Sequence, residues 1–470
     1  MNPMSKLCDA ADWFQPEVLD IIDRELREIP RFHRKQWESA MIILALRRLG
    51  KLRRDTTGLS MGGGKELVLY AIAQHVRQLV VTDLYDRQTT WDCAKTDDPD
   101  AFIRANKPFP VDDARLRVLR MDMRELEFPD RSFDFCYSTC AVEHIGARAD
   151  FLRHFNEVAR VLADDGVYVF TTEVSTGNVT IRDEHNYVFS LQELYEMFAE
   201  CALVPDPVFD AGITAHKINY PFPSNLRNLT HSIPELITGH LLQESPHIQL
   251  MRGKHPFTCG MFVLRRATPL RERVRPVFHG LEASQRFLEA GVEEYRALLR
   301  GASVSIEPFS WLPDGASRFF ADHAEFFEPV DHRHGDAETV FHSDYFWLGT
   351  GRRVVDVVLD VPEPGNGPVP VIEVRVHRYA TLASAQVDCA ASSVLRVERP
   401  GRHVCRLELQ TDDEYNYAVL GKMRTGSCLF TGIDIQSFPV HIAPPGPGPV
   451  TGDQKRHSDI MRHLRSLWTS

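Results

Sequence analysis

The sequence lacks an excess of basic residues. Its 54 lysines and arginines stand against 65 aspartates and glutamates, and the formal net charge is −11. A chain of this sign has no electrostatic footprint for nucleic acid or for an anionic membrane surface. We therefore expect a partner that is neither nucleic acid nor membrane.

Long apolar runs and a cysteine framework are also missing. No window approaches the roughly 18 apolar residues of a membrane span, and residues 1–14 contain early acids but no apolar leader segment. The 9 cysteines are odd in number and form no Cys-x-x-Cys pair, which argues against a disulfide framework and against a zinc site. We expect a cytoplasmic protein with no membrane span and no metal.

Two common nucleotide-binding motifs are absent, although a glycine-rich turn is present. Gly62-Gly63-Gly64-Lys65-Glu66 lacks the Gly-Lys-Ser/Thr ending of a P-loop, and it is not a Gly-x-Gly-x-x-Gly motif. An apolar run at 79–82 then ends at Asp83, about twenty residues after the turn. Such a carboxylate accepts hydrogen bonds from ribose hydroxyls, so the pair indicates half of a nucleotide-binding unit.

Strands and helices alternate between residues 55 and 173. This alternation predicts an α/β fold with a doubly wound, Rossmann-like parallel sheet. The predicted strands are 56–61, 79–83, 116–121, 132–138 and 166–172, and the predicted helices are 65–75 and 149–163. A final strand is expected near 259–264, after a loop-rich stretch at 205–256 that offers substrate contacts.

Five motifs in this order resemble the class I S-adenosylmethionine-dependent methyltransferases, in their small-molecule or sugar-type branch. The resemblance covers roughly residues 35–266. The motifs are the glycine turn, Asp83, Arg120-Met121-Asp122-Met123, Phe128-Pro129-Asp130-Arg131-Ser132-Phe133-Asp134 with Glu143-His144-Ile145, and Val161-Leu162-Ala163-Asp164-Asp165-Gly166-Val167.

The resemblance implies S-adenosyl-L-methionine as the cofactor and gives roles to several residues. The glycine turn would approach its methionine part, Asp83 would hold the ribose, and Asp122 would face the adenine amino group. The full predicted cofactor set is Ser60, Gly62, Gly63, Gly64, Glu66, Asp83, Leu84, Asp122, Met123 and Ser138.

The turn departs from the family pattern at two positions. The family usually has an acid where Ser60 stands and a glycine where Glu66 stands. Glu66 therefore has two interpretations: a substitute carboxylate for the cofactor amine, or a helix-start acid favoured by the macrodipole.

Three residues are candidates for acid–base catalysis on an acceptor hydroxyl. His144 follows the fourth strand of the domain and is the first candidate base, with Glu143 either orienting it or beginning a helix. His185 is the second candidate. A helix-start histidine bonded to the backbone is an equally good interpretation of His144.

Beyond residue 302 the pattern changes to strands without helices, separated by proline and glycine. This predicts an all-β sandwich of jelly-roll type. The predicted domains are N-terminal helices at 1–54, a methyltransferase domain at 55–268, a connecting helix at 269–302, a β-sandwich at 303–443, and a linker with a terminal helix at 444–470.

The sequence thus predicts an S-adenosylmethionine-dependent methyltransferase that O-methylates a sugar, a glycan or another polar natural product. The acceptor class rests on the accessory sandwich and the acidic composition. Two alternatives stay open: an NAD-dependent oxidoreductase on a similar sheet, and a non-catalytic cofactor-binding scaffold. A small-molecule or glycan acceptor is the expected partner, and a homo-oligomer is not excluded.

Overall fold

The computed structural model divides the chain into two compact units. The first unit comprises Met1–Asn219, His247–Gln249 and His255–Leu288, and the second comprises Tyr220–Pro246, Leu250–Lys254 and Glu289–Ser470. The structure describes residues 4–28, 30–87, 93–182, 186–215, 217–221, 247–267, 276–301, 304–306, 330–331, 338–342, 346–361, 369–380, 387–425 and 427–437.

The strands are numbered in chain order. They are β1 (Lys6–Leu7), β2 (Thr57–Met61), β3 (Gln78–Asp83), β4 (Leu116–Arg120), β5 (Phe133–Thr139), β6 (Leu162–Ser175), β7 (Ile181–Arg182), β8 (Tyr187–Ser190), β9 (Leu203–Pro205), β10 (Val208–Asp210), β11 (Leu250–Arg252), β12 (His255–Arg266), β13 (Val277–His279), β14 (Val304–Ile306), β15 (Val330–Asp331), β16 (Glu338–His342), β17 (Phe346–Trp347), β18 (Gly351–Val361), β19 (Val371–Ala380), β20 (Val387–Arg396), β21 (Gly401–Thr411), β22 (Tyr415–Thr425) and β23 (Ser427–Ser437).

The helices of the described residues concentrate in the first unit. The α-helices are α1 (Pro16–Asp20), α2 (Arg34–Arg48), α3 (Leu67–Ala73), α4 (Pro99–Ala105), α5 (Arg148–Val161), α6 (Leu191–Glu200) and α7 (Leu281–Gly301); Ile21–Leu26 is a π-helix, and Ala10–Phe14, Asp113–Arg115, Val142–His144 and Lys217–Asn219 are 3₁₀ turns. None of them, within the described part of the chain, has the length and apolar character of a membrane span.

The sheet of the first unit has the predicted α/β organisation. Strands run in the order β12-β6-β5-β2-β3-β4. The neighbours from β6 to β4 are parallel, while β12 runs antiparallel to β6 over nine paired residues from Phe257 to Arg265. The five strands predicted between residues 55 and 173 all form, within a few residues of their expected bounds.

Helix α5 shows why the sequence folds in this way. Phe151, Phe155 and Val158 recur at helical spacing, and all three are buried in the core that covers one face of the sheet. Asp150 in the first turn accepts a hydrogen bond from the Ala147 amide at 3.0 Å. That bond satisfies one of the backbone donors that every helix start leaves open.

The acidic stretch around residues 97–100 is partly helical. Asp98 caps α4 by accepting from the Ala101 amide at 3.1 Å, and Pro99 takes the first helical position. Asp100 and Arg104 then pair one turn apart at 2.7 Å. This acidic run therefore contains a helix start, formed by the capping Asp98 and by Pro99.

The second unit is rich in strands, as predicted. Its described strands from β14 onward form two antiparallel sheets, one built around β14-β23-β18-β21 and the other around β16-β22-β19-β20. Inward-facing residues of both sheets share a single apolar cluster, which includes Val355, Val357, Val374 and Val376. The predicted linker and terminal helix at 444–470 lie outside the described residues.

Candidate active site

The order of the parallel strands reverses between β2 and β5. Strands β3 and β4 lie on one side of this point and β6 lies on the other. Open α/β sheets bind ligands outside the carboxyl ends of their strands at such a reversal. The turn after Met61, where β2 ends, and the turn after Thr139, where β5 ends, therefore form the candidate site.

The turn after β2 needs glycine at two positions. Gly62 has a φ of +60°, and a Cβ there would lie 2.6 Å from the Cβ of Ala141 in the turn after β5. Gly64 has a φ of +43°, and a Cβ there would lie 2.8 Å from the carbonyl oxygen of Cys93. The Gly63 amide donates to the Thr82 carbonyl at 3.1 Å. Only glycine combines this backbone with such close approach.

Asp83 lies at the end of β3 and joins that strand to the glycine turn. Its carboxylate accepts from the Gly64 amide at 2.9 Å and from the Leu84 amide at 2.7 Å. Burial raises the pKa of the carboxyl, and the backbone donors oppose this by stabilising the charged form. The neighbouring Leu84 side chain is 59% exposed, an apolar surface beside the carboxylate.

Tyr85 secures the same turn and had no signal in the sequence. Its backbone lies in the left-handed region at φ +38°, and its buried hydroxyl donates to the Gly64 carbonyl at 3.1 Å. Non-glycine residues seldom adopt this conformation, which is concentrated at functional turns. Tyr85 and Asp83 thus both hydrogen-bond to Gly64, the first through its carbonyl oxygen and the second through its amide.

Asp122 and Met123 follow β4, the strand next to β3, which ends at Asp83. Arg124 holds both oxygens of Asp122, with its Nε 3.0 Å from each and its Nη2 2.6 Å from Oδ2. This contact lowers the pKa of the Asp122 carboxyl. Asp122 is therefore an ionised carboxylate whose oxygens already carry a guanidinium, a partner that the sequence analysis did not anticipate.

A buried hydrogen-bonded chain connects Ser138 to Met123. Ser138 Oγ lies 2.8 Å from Tyr168 Oη, which lies 2.9 Å from His154 Nε2, and His154 Nδ1 lies 3.0 Å from the Met123 carbonyl. Burial lowers the pKa of His154 to about 4, so the ring is neutral near pH 7. A neutral ring can donate to Met123 and accept from Tyr168 at once.

Ser60 and Glu66, the two unusual turn positions, differ in their surroundings. The Ser60 hydroxyl is buried and has no hydrogen-bond partner of ordinary geometry among the described residues. Glu66, in the turn after β2, accepts a hydrogen bond from Thr139 at the end of β5, across the point where the strand order reverses. Burial raises the pKa of its carboxyl to about 7, against the opposing effect of Lys35. Glu66 thus presents a carboxyl to the edge where the cofactor amine is expected.

Of the predicted catalytic residues that the structure describes, Glu143 and His144, the former is the more enclosed. Its side chain is 1% exposed, and Oε2 accepts from Thr172 at 2.8 Å, whereas Oε1 has no partner among the described residues. Burial raises the pKa of the carboxyl. His144 follows it in the same 3₁₀ turn and is partly exposed, and His185 lies outside the described residues.

The start of helix α2 adds charged groups that the sequence did not single out. Arg34 pairs with Glu173 at 2.6 Å, and Lys35 pairs with Glu38 at 3.2 Å. Glu173 also accepts from the Asn186 amide at 2.9 Å. Arg34 and Glu173 come from segments more than a hundred positions apart, so no local spacing could have revealed that they pair.

Comparison with known proteins gives one family match. Residues 59–170 match the family model described as a methyltransferase domain. The matched segment contains the glycine turn, Asp83, Asp122 and Glu143. No curated protein matches the chain.

The solved structures that match the chain include three that are distant in sequence. The 1,6-didemethyltoxoflavin-N1-methyltransferase of Burkholderia thailandensis is 14% identical, covers 48% of this chain and 76% of its own, and has a TM-score of 0.30. The geranyl diphosphate C-methyltransferase of Streptomyces coelicolor A3(2) is 16% identical, covers 56% and 90%, and has a TM-score of 0.32. An S-adenosylmethionine dependent methyltransferase from Mesorhizobium loti is 15% identical, covers 47% and 96%, and has a TM-score of 0.29.

The family match agrees with the class predicted from the motifs. Residues 59–170 form a methyltransferase domain, and the protein is an S-adenosylmethionine-dependent methyltransferase. The oxidoreductase and scaffold hypotheses gain no support from these matches. The structures, with TM-scores near 0.3, say nothing about the acceptor.

Proposed function

We propose that this methyltransferase transfers its methyl group to a hydroxyl of a sugar, a glycan or another polar natural product, with Glu143 as the general base. The proposal rests on the environment of the Glu143 carboxyl. This carboxyl is buried in the turn after β5, and one of its oxygens has no hydrogen-bond partner among the described residues. A carboxyl whose pKa burial raises is a stronger base than a solvated one.

When bound, S-adenosylmethionine would supply its methyl group to the acceptor oxygen and leave as S-adenosylhomocysteine. Glu143 Oε1 would take up the proton that the acceptor hydroxyl loses. Thr172, at 2.8 Å, holds the other oxygen and fixes the orientation of the carboxylate. The cofactor supplies the reactive methyl group, and the protein contributes orientation, water exclusion and the base.

The cofactor-binding roles follow from the same edge of the sheet. Asp83 would accept from the ribose hydroxyls with the lone pairs that Gly64 and Leu84 leave free, and the exposed Leu84 side chain would cover the purine. Met123, held through His154, would lie on its other side. Glu66 would replace the acid that the family usually carries at the position of Ser60.

A polar acceptor is favoured by the charged groups next to Glu143. Arg34, Glu173 and Asn186 form one hydrogen-bonded set, and Lys35 with Glu38 forms another. Within this region Glu143 Oε1 and Asn186 Oδ1 are buried and have no hydrogen-bond partner among the described residues. A hydroxyl-bearing ligand could donate to these atoms, whereas an apolar ligand would leave them without partners. Carbohydrate binding by the sheets of the second unit stays a prediction.

The base is tested by comparing three variants under saturating cofactor. We expect Glu143→Gln to lower kcat by about 100-fold or more with little change in cofactor affinity, since general-base catalysis contributes about 10²–10⁴-fold. Thr172→Val should lower kcat less. His144→Ala is the matched control and should retain most turnover.

Calorimetry with S-adenosylhomocysteine verifies that each variant still binds cofactor. Full turnover by Glu143→Gln, together with loss of turnover in His144→Ala, would transfer the role of base to His144. His185→Ala, measured in the same assay, decides whether the third candidate takes part.

A further inference from the structure

Three buried side chains from separate elements meet beside the candidate active site. Glu38 lies on α2, Cys140 lies in the turn after β5, and Cys259 lies on β12; their exposed fractions are 0%, 8% and 0%. The two Sγ atoms are 3.4 Å apart, and Cys259 Sγ lies 2.8 Å from Glu38 Oε1. All three ligand atoms lie within 4.8 Å of one another.

We propose that Glu38, Cys140 and Cys259 bind a zinc-type divalent cation. Two thiolates and one carboxylate form a donor set that zinc accepts, while sulfur ligands disfavour magnesium and calcium. A tetrahedral ion bound by three protein atoms keeps its fourth position for water or another oxygen ligand. The sequence predicted no metal because these residues share no local spacing.

The charges around the cluster suit a dication. Two thiolates and one carboxylate carry three negative charges, the cation carries two positive charges, and Lys35 at 3.2 Å from Glu38 Oε2 supplies the third. Arg34 forms its own pair with Glu173 at 2.6 Å. The charges of the three ligands, the cation and Lys35 therefore cancel, which favours burial of the cluster.

Neighbouring donors orient each ligand. Glu38 Oε2 accepts from Lys35 at 3.2 Å and from Thr171 at 3.3 Å, which turns Oε1 toward the sulfur atoms. Arg34 donates to Cys259 Sγ at 3.3 Å. The Cys140 amide donates to the carbonyl and hydroxyl oxygens of Thr171 at 3.0 and 3.1 Å. Outer hydrogen bonds of this kind hold metal ligands in place.

The turn that contains Cys140 couples the cluster to the cofactor edge. Cys140 has a left-handed φ of +41°, its predecessor Thr139 donates to Glu66, and its successor Ala141 lies against Gly62. A bound ion would therefore join α2, β12 and this turn. We expect zinc to raise the Tm of the protein, since a ligand that binds the folded state alone stabilises it.

The test is a titration of the full-length, reduced and chelator-treated protein with Co²⁺, followed by displacement with Zn²⁺. We expect one Co²⁺ per chain, with sulfur-to-cobalt charge-transfer bands and the visible absorption of a tetrahedral ion. Cys140→Ser and Cys259→Ser should each weaken binding at least about tenfold. Cys136→Ser is the matched control, because Cys136 is a buried thiol in the apolar core.

Glu38→Gln provides a second variant in which both thiols remain. We expect it to weaken Co²⁺ binding while keeping the charge-transfer bands, and circular dichroism verifies the fold of each variant. Wild-type bands no stronger than those of the Cys140→Ser/Cys259→Ser double variant would overturn the proposal. So would a thiol titration showing that the two cysteines form a disulfide in the protein before reduction. Metal binding is read without turnover, so its failure leaves the proposed methyl transfer unaffected.

Discussion

Glu66 is a turn residue whose carboxyl titrates close to neutral pH. Burial raises its pKa to about 7 from an ordinary value of 4.5, so the ionised fraction rises as the pH passes through 7. The amino group of the cofactor is a cation below its own pKa of about 8. An ionised Glu66 facing that cation would strengthen binding, whereas a protonated one would not.

The affinity of the wild-type protein for S-adenosylmethionine, relative to that of Glu66→Gln, should therefore rise several-fold between about pH 6 and about pH 7.5. Calorimetry at several pH values measures the ratio. Asp83→Ala serves as the control and should abolish binding at every pH, because it removes the carboxylate that fixes the turn. A ratio that stays constant with pH would show that Glu66 acts only as a helix-start acid.

The sequence indicated the carboxylates of Asp83, Asp122 and Glu143 but not their hydrogen-bond partners. Asp83 was recognisable because it ends an apolar run shortly after a glycine turn. The contacts of Asp122 with Arg124 and of Glu143 with Thr172 depend on side-chain geometry at strand ends. Apolar periodicity carries no information about that geometry, so residue types were predictable here and hydrogen bonds were not.

At the scale of elements, the contact between the turns after β2 and β5 holds the site together. A Cβ on Gly62 would lie 2.6 Å from Ala141, whereas a Cβ on Gly50, which also has a positive φ, would meet nothing within 4 Å. Alanine at Gly62 would thus cause both steric overlap and backbone strain, whereas alanine at Gly50 would cause backbone strain alone.

Gly62→Ala should weaken S-adenosylmethionine binding at least about tenfold, because it forces the two turns apart, while Gly50→Ala should leave binding unchanged. Both should lose stability, by about 1 kcal/mol from the left-handed backbone. Calorimetry and urea unfolding measure the two effects. Equal loss of binding in both variants would mean that the turn contact does not matter for the cofactor.

Helix α5 contributes His154, which joins β6 to the segment after β4. The pKa of the buried ring is lowered to about 4 from 6.5, so below pH 6.5 the unfolded chain binds a proton that the folded protein does not. Stability therefore falls as the pH drops through this window and is recovered above it.

His154→Leu should lower the free energy of unfolding by about 2–4 kcal/mol at pH 7, since Met123 and Tyr168 lose a buried partner. At pH 5 the difference from wild type should shrink by about 2 kcal/mol. Phe155→Leu, an apolar change on the same helix, should show a loss that does not depend on pH. An equally large loss for His154→Leu at both pH values would contradict the neutral, buried ring.

At the scale of the whole molecule, the sequence predicted the class of fold because each level of its pattern agrees with the others. Alternating apolar strands and amphipathic helices led to the parallel sheet, and repeated strands with proline and glycine turns led to the sheets of the second unit. The cluster of Glu38, Cys140 and Cys259 could not be predicted from the sequence. Its members lie on α2, in the turn after β5 and on β12, and they meet through the packing of these distant elements.

At the same scale, the central claim is that the protein methylates a hydroxyl of a polar acceptor with Glu143 as the base, and identifying the acceptor tests it. The direct measurement incubates the full chain with methyl-labelled S-adenosylmethionine and fractions of polar metabolites and glycans, and follows the label by mass spectrometry. We expect the wild-type protein to form S-adenosylhomocysteine and a labelled methyl ether on oxygen, and we expect Glu143→Gln to form neither at a comparable rate. Label on nitrogen or carbon of the product, or equal transfer by the Glu143→Gln variant, would contradict O-methylation with Glu143 as the base.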